Sequence, residues 1–489
     1  MSTDALTWST CRTAFENYRW DVDYYDPVTI KILENLRKQS SHNLSPRYGL
    51  VHALSTVKKA HGYDNVVKAL SVRDVESGFI YPHVPRFIER PQHGNFVAPN
   101  TAIVTRAGIQ GIAAPVIESN AFWDVMGHTY SLAEDRKGLA ATSDLLVVEA
   151  KDELSAEVLA AYISSPIGRS ITRRVVYGVS NRHLRRADLA SIPIPDSLYV
   201  FDKELRSLTA HLYETFAKIQ RLGNNYAQKI QHNIGKIRQI SSQKVLKAKL
   251  EHYRFDFSWY QFKKIRDLLL KSGFSELGNY ISEIKTGGNV KKAEAGVLVL
   301  GTRDLKPYIV LPRGEKPRIV EQIKKRNWAT SGQLLMAEVG GDISVGTTAF
   351  VPSDCSHWKN LGFSVRKNGI AVSPDIIILS LRSSKLAGFI TSFLNSFLGR
   401  LQLKTLAFTT KQTRVRPYEV DKILVPEPES SKEHFQLLEE MYKSIISIRR
   451  NIDIEIPRKM GFDPVMVMKG ARPYIRRIKS SSVTLDSYA

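Results

Sequence analysis

This chain contains itself twice. Ser165-Pro-Ile-Gly168-Arg169 returns as Ser396-Phe-Leu-Gly399-Arg400, and Ile192-Pro-Ile-Pro195 returns as Ile423-Leu-Val-Pro426. Gly168/Gly399, Arg169/Arg400 and Pro195/Pro426 keep one offset of 231 residues with no gap. Two further pairs precede them in the same order. Tyr18-Arg19-Trp20-Asp21-Val22 matches Tyr253-Arg254-Phe255-Asp256-Phe257 at an offset of 235, and Val72-Arg73-Asp74-Val75 matches Thr302-Arg303-Asp304-Leu305 at 230. Ordered anchors at a near-constant spacing mean two copies of one domain, each of about 180 residues. A length of 489 residues holds both copies and the segments that join them.

Each copy mixes two periodicities. Ala102-Ile-Val-Thr105, Leu145-Leu-Val-Val148 and Asp375-Ile-Ile-Ile-Leu379 read as strands. Ser155–Ser164 and Lys385–Asn395, just after the last strand, carry the apolar spacing of short helices, and Gly and Pro punctuate the rest. The fold class is α+β.

From Lys203 to about Gln239 there is no proline, and Leu205, Leu208, Leu212, Phe216, Ile219, Leu222, Tyr226, Ile230, Ile234 and Ile237 fall at spacings of three or four. That is one amphipathic helix of roughly 55 Å, with Gly223 as a candidate bend. Phe435, Leu438, Met441, Ile445 and Ile448 repeat the pattern after the second copy. Such stripes can be buried by pairing the helices as an antiparallel coiled coil, or by packing each as a connector on its own domain. The expected boundaries are 1–198 for the first domain, 199–251 for the central helix, 252–428 for the second domain, 429–456 for the distal helix and 457–489 for a basic C-terminal tail.

Charge says what kind of partner to look for. Lys and Arg number 70 against 48 Asp and Glu, a formal +22, which suits nucleic acid or an anionic membrane surface. No apolar run approaches the ~18–20 residues of a spanning helix, so an integral membrane protein is not expected. The two cysteines, Cys11 and Cys355, form neither a disulfide framework nor a zinc motif. With no basic-then-apolar leader at its start, the chain is expected to be cytoplasmic.

The excess is concentrated at matching places. Between Ser164 and Ala187 lie Arg169, Arg173, Arg174, Arg182, Arg185 and Arg186 with His183, and no acid. Between Asn395 and Tyr418 lie Arg400, Lys404, Lys411, Arg414 and Arg416, again with no acid. Tyr177, Asn181, Thr410 and Gln412 are interleaved with them. A basic run is commonly a solvated face, but two acid-free runs at one offset point to nucleic acid: Lys and Arg neutralise phosphates, while Arg, Asn and Gln also pair with base edges. Arg106 and Gln110 sit in the Gly-containing loop Thr105–Gly111, whose counterpart is Ala337-Glu-Val-Gly-Gly-Asp-Ile-Ser-Val-Gly346. Differing polar residues on matching loops would let the copies read different sequences; the same loops also read as ordinary turns.

Signals of catalysis are poor. Asp144, Glu149 and Lys151 carry the ending of a metal-dependent nuclease motif, but on a single short strand, and the second copy has Ser380 and Arg382 where Glu149 and Lys151 would be. There is no P-loop, no dinucleotide fingerprint, no HExxH, and no Asn-Pro-Pro-Tyr-like tetrapeptide. The expectation is a chain that binds and does not catalyse, with no metal and no cofactor of its own.

The layout resembles the specificity subunit of type I restriction-modification systems over about residues 15–450. The motifs that carry the resemblance are Tyr162-Ile-Ser-Ser-Pro-Ile-Gly168, Tyr177-Gly178, His183-Leu184 and Ile192-Pro-Ile-Pro195, with Gly399 and Ile423-Leu-Val-Pro426 in the second copy. It departs at Phe408-Thr409 for Tyr-Gly, at Arg414 for His183, and at Pro99-Asn100 and Gly332-Gln333, where many relatives have Gly-Asp. The resemblance implies two tandem target-recognition domains, each reading half of a bipartite duplex DNA site. It also implies long helices that set the spacer and dock two adenine-methyltransferase subunits, with S-adenosylmethionine held in those partners. A restriction translocase-nuclease is a further implied partner. DNA contacts are then expected from Arg106, Gln110, Arg169, Arg173, Arg174, Tyr177, Asn181, Arg182, His183, Arg185, Arg400, Lys404, Lys411, Gln412, Arg414 and Arg416. Partner docking is expected from Leu205, Leu208, Leu212, Ile219, Tyr226, Ile230, Phe435, Leu438, Ile445 and Ile448. The alternatives are a specificity factor of another methyltransferase-coupled phage-defence system, a sequence-blind nucleic-acid scaffold, and a nuclease using Asp144, Glu149 and Lys151.

Overall fold

A computed structural model describes residues 26–237 and 265–471, apart from short stretches at 40, 57–65, 83–85, 90–94, 134–137, 152, 177–182, 313–317, 325–326, 341–343, 361–362, 367–368, 410–412 and 429–430. The repeat anchors at Tyr18 and Tyr253 lie outside these residues. The chain divides into two compact units. Unit one draws on Met1–Glu214 and Ser444–Pro473, and unit two is built on Thr215–Lys443.

Unit one opens with helix α1 (Pro27–Lys38), where Asp26 caps the Thr29 N–H at 3.0 Å and Pro27 occupies the first turn. Strand β1 (Ser41–Asn43) follows. The central sheet is antiparallel, in the order β2 (Gly49–Ala53), β5 (Leu145–Ala150), β3 (Thr101–Thr105) and β4 (Ala113–Val116). Val147 stands opposite His52 on one side and Ile103 on the other. The unbroken apolar run Leu145–Val148 is buried, as a strand packed on both faces requires. Helix α2 (Ala156–Ser164) covers the sheet, Ser165 starts helix α3 (Pro166–Val175), and a short helix α4 (Arg186–Ala190) leads to β6 (Pro193–Pro195), which pairs back with β1. Helix α5 then runs unbroken from Asp202 to Ile237.

Unit two repeats this order. Strand β7 (Ser275–Glu276) is the counterpart of β1. The sheet comprises β8 (Ile281–Thr286), β13 (Ile376–Leu381), β10 (Leu334–Ala337) and β12 (Thr348–Phe350), with β9 (Tyr308–Ile309) added as a parallel edge strand. Between β10 and β12 a short strand, β11 (Val339–Gly340), leaves the sheet. Helices α6 (Ala387–Asn395) and α7 (Phe397–Leu406) match α2 and α3. After them come β14 (Phe408–Thr409), β15 (Thr413–Arg414) and β16 (Leu424–Val425), the last pairing with β7.

The side chains that fix these loops are repeated too. Asp74 accepts the Ser71 N–H at 3.0 Å, and Asp304 accepts the Gly301 N–H at 2.8 Å. Buried Asn95 donates to the Ser55 and Ala141 carbonyls, and buried Asn327 donates to those of Gly288 and Val372. Each bond satisfies backbone that would otherwise be buried without a partner.

Helix α8 (Ser431–Arg450) passes through a π turn (Asn451–Glu455) into α9 (Ile456–Lys459) and then α10 (Pro464–Ala471). Residues 457–471 are therefore not an appended basic tail. Phe462, Val467, Met468 and Ala471 are buried, α10 lies against α3 and α1, and Gln39 donates to the Met460 carbonyl at 3.1 Å. Their apolar side chains outweigh the scattered charges that suggested a tail. Gly223 does not bend α5. It lies inside the continuous helix, and a Cβ there would meet the Ser392 carbonyl at an ordinary van der Waals distance of 3.4 Å.

One tyrosine in each unit ties a long helix to a loop. The Tyr213 hydroxyl of α5 accepts the Ile80 N–H at 2.9 Å and donates to the Ile80 carbonyl at 3.0 Å. In unit two, Tyr442 of α8 does the same for Val310, at 2.8 and 2.6 Å. Burial pushes the Tyr213 hydroxyl well above its ordinary pKa, so it remains a donor. Tyr213→Phe or Tyr442→Phe should each cost about 2–3 kcal/mol, because a buried amide and carbonyl lose their partner together. Urea unfolding of the single variants checks this, and unchanged midpoints would show that water replaces the hydroxyl.

Candidate nucleic-acid interface

In unit one the candidate residues gather around the loop between β3 and β4. Thr105 Oγ1 accepts the Ile112 N–H at 2.9 Å and closes the loop at its base. Gly108 and Gly111 both take φ of +74°, and a Cβ on Gly111 would lie 2.3 Å from Thr172 Oγ1 on α3. Only glycine lets this loop rest on the arginine-bearing helix. The Arg106 N–H donates to the Asp144 carbonyl at 2.9 Å, and the Arg106 carbonyl accepts the Leu184 N–H at 3.0 Å. Arg106 and Gln110 in the loop, Arg173 and Arg174 in the last turn of α3, and His183 beside Leu184 are thus assembled from three chain segments. All are half-buried. Arg106 Nε and His183 Nδ1 are shielded from solvent without a hydrogen-bond partner among the described residues.

Two residues of the expected set play other roles. Arg169 is buried, as is every residue of α3 from Pro166 to Thr172, so it offers little surface to DNA. Arg185 is exposed but forms a bidentate pair with Asp188, at 2.7 and 3.0 Å, at the start of α4. Tyr177, Asn181 and Arg182 lie outside the described residues.

Unit two reuses the scaffold with different side chains. The Glu338 N–H donates to the Asp375 carbonyl at 3.0 Å, and the Glu338 carbonyl accepts the Val415 N–H at 3.0 Å. These are the backbone bonds of Arg106, so Glu338 is its positional equivalent. Gly346, with φ of +73°, rests on Leu403 of α7 as Gly111 rests on Thr172. Strand β11 pairs with β15, and β15 with β14, which places Arg414 opposite Val339. Arg414 Nη1 stands 3.7 Å from Glu338 Oε1. Burial pushes the Glu338 carboxyl above its ordinary pKa, Arg414 opposes that rise and Asp375 adds to it. Arg416 lies 5.7 Å from the ring centroid of exposed Tyr418, a cation–π contact. Lys404 is exposed on α7. Arg400 is half-buried and a poor candidate for DNA, with burial pulling its pKa down to about 10. Lys411 and Gln412 lie outside the described residues.

The nuclease alternative finds no supporting geometry. Asp144 Oδ2 is held by Arg86 Nη1 at 2.8 Å, and the equivalent Asp375 is held by Arg318, so this carboxylate belongs to a repeated structural pair. Asp144 lies in the turn before β5 and Glu149 near the far end of that strand, five residues on. Glu149 is exposed beside His52, 3.5 Å away. Among the described residues no three His, Cys, Asp or Glu side chains are grouped to hold a metal ion, and no helix is long and apolar enough to cross a membrane.

The helix stripes are covered by the chain itself. Leu205, Leu212, Ile219, Leu438, Ile445 and Ile448 are each at most 2% exposed, Leu208 is half-buried, and half-buried Phe435 meets Phe350 at 5.5 Å. These residues are spent on the units' own cores. The side chains of Tyr226 and Ile230 lie outside the described set.

Three features escaped the sequence reading: the tyrosine ties, the Arg86–Asp144 and Arg318–Asp375 pairs, and Glu338 as a site residue. The first two were available as further matches near the offset of 231; the third needed the backbone bonds.

No family model matches the chain, and no curated protein matches it. Among solved structures, the type I restriction-modification S subunit from M. genitalium aligns at 12% identity over 89% of this chain and 95% of that one, with a TM-score of 0.27. A structure described as the basis of complex assembly and conformational transition of the type I system aligns at 11% identity, covering 87% and 98%, with a TM-score of 0.24. The HsdS subunit from Thermoanaerobacter tengcongensis aligns at 13%, covering 87% and 97%, with a TM-score of 0.21. TM-scores this low do not establish a common arrangement.

Proposed function

We propose that this chain is a non-catalytic DNA sequence-specificity subunit of the type I restriction-modification kind, with two target-recognition domains that each read half of a bipartite duplex site. The observation that carries this reading is one loop-and-helix scaffold used twice with different polar residues, Arg106 with His183 in unit one and Glu338 with Arg414 in unit two. A binder blind to sequence has no use for that difference. The basic residues beside each loop would hold phosphates, and the loop tips would read base edges.

Antiparallel pairing of the long helices is supported by how each unit uses them. Unit one takes the opening turns of α5 and the closing turns of α8, with Asn451 Nδ2 donating to Glu204 Oε1 at 2.9 Å; unit two takes the remainder of each. With the stripes buried, two methyltransferase subunits would dock on the polar outer faces, where Lys203, Arg206, Glu214, Lys218, Lys432, Glu433 and Lys443 are exposed. S-adenosylmethionine and the transfer chemistry would belong to those partners, and a translocase-nuclease would join them in a restricting system.

The test is selection of bound duplexes from a random pool, using this chain co-expressed with its neighbouring methyltransferase. The expected result is a split motif with a fixed gap. Changing Arg182 and His183 together should then alter one half-site and spare the other. Equal weakening of both halves, or binding with no enriched motif, would overturn the modular reading.

A further inference from the structure

Glu338 is a carboxylate on a surface otherwise suited to a polyanion, and this needs a reason. It occupies the backbone position that Arg106 holds in unit one, so the two units carry opposite charge at one point of the same scaffold. Its side chain is 17% exposed and that of Arg414 is 45% exposed, and their charged atoms are 3.7 Å apart. As an ion pair alone this adds little: a partly exposed pair beyond hydrogen-bond distance contributes no more than a surface salt bridge. Nor is it needed to hold β11 to β15, because Val339 pairs with Arg414 and Gly340 with Thr413 through the backbone. Asp375, the other acid whose charge acts on Glu338, is already held by Arg318.

An acceptor and a donor fixed side by side match one feature of duplex DNA. In the major groove a C·G pair presents the cytosine N4 amino group as donor and guanine O6 and N7 as acceptors. N4 and O6 are hydrogen-bonded to each other, so they lie about 3 Å apart, close to the spacing of the two protein groups. We propose that Glu338 and Arg414 together read one C·G base pair in the half-site of unit two, the carboxylate accepting from cytosine N4 and the guanidinium donating to guanine. Unit one has no acid at either equivalent position: Arg106 and His183 stand there, and Arg106 would take a guanine without a cytosine contact.

This inference rests on the reading of the chain as a two-domain DNA-recognition subunit, and the experiment separates the two. Duplexes are selected from a random pool by the full-length chain and by its E338Q, E338A and E338R variants. The wild type should enrich a split motif with an invariant C·G pair in one half. E338A should relax that single position by roughly ten-fold, E338Q should shift it toward adenine, and E338R should favour guanine on the strand that carried cytosine. The remaining positions of the same half-site report that unit two is folded. If E338A loses that whole half-site, the isosteric E338Q decides. A split motif that E338Q leaves unchanged, or one without a C·G pair in either half, overturns the inference alone. A wild-type chain that enriches no split motif overturns both it and the reading beneath it.

Discussion

Under the proposed function, affinity for duplex DNA should fall by about 10³-fold between 50 and 200 mM monovalent salt. Arg106, Arg173, Arg174 and Arg416, half-buried, and Arg186 and Lys404, exposed, are described cations around the two loops with part of their surface open to solvent. Neutralising about six phosphates gives a slope near −5 in log affinity against log salt. Arg169, buried, Arg400, half-buried with its pKa pulled down to about 10, and Arg185, tied to Asp188, keep the slope below what the basic residues alone would suggest. Titration by fluorescence anisotropy at several salt concentrations checks the number. A fall of less than ten-fold would mean that the basic runs do not lie along DNA.

The largest loss of stability is expected at Gly399. A Cβ there would stand 2.2 Å from the Phe393 carbonyl oxygen and 2.6 Å from Leu394 Cα. Gly168 meets the same wall in unit one, 2.3 Å from the Tyr162 carbonyl. These neighbours are backbone, so no side chain can swing aside. Gly399→Ala must therefore push α7 away from α6, breaking the cap that Ser396 Oγ makes by accepting the Gly399 N–H. It also lifts α7 from beneath Gly346 and so from the loop that carries Glu338. We expect a cost of about 3 kcal/mol or more, together with loss of recognition by unit two. Gly223→Ala is the control: that helical position has no atom nearer than 3.4 Å, so it should be neutral or stabilising by about 0.5–1 kcal/mol. Chemical denaturation of both variants checks the contrast, and a Gly399→Ala chain as stable as the wild type would mean that the two helices separate without cost.

Much of this was legible in the sequence, for a physical reason. Repetition at a fixed offset survives divergence of the surface because backbone contacts such as those of Gly168 and Gly399 admit no alternative residue. The long helix was legible because ten apolar residues at spacings of three and four have one regular solution, and Asp202–Ile237 follows Lys203–Gln239 closely. Charge was harder to place. A cation in a basic run looks the same whether it is enclosed, as with Arg169, or open to solvent, as with Lys404. Pro166–Thr172 of α3 are all buried, so the enclosure comes from what packs around that half of the helix, and a charge count does not contain that. Glu338 was passed over because an acid beside a basic run reads as a neutral loop residue until the Val415 bond brings Arg414 alongside it.

Unit one is assembled from two separated segments, since Ser444–Pro473 returns to it after Thr215–Lys443 of unit two has been traversed. Gly78 in unit one, at φ of +85°, has Ile448 and Ile452 so close that a Cβ there would lie 2.7 and 2.6 Å from them. A ribosome delivers the loops of unit one well before Ile448 and Ile452, which pack against them. Unit two has all of Thr215–Lys443 in hand before then, so the bulk of the later-synthesised unit precedes the finish of the earlier one. A nascent chain cut short before residue 444 would lose the finish of the half that was made earliest.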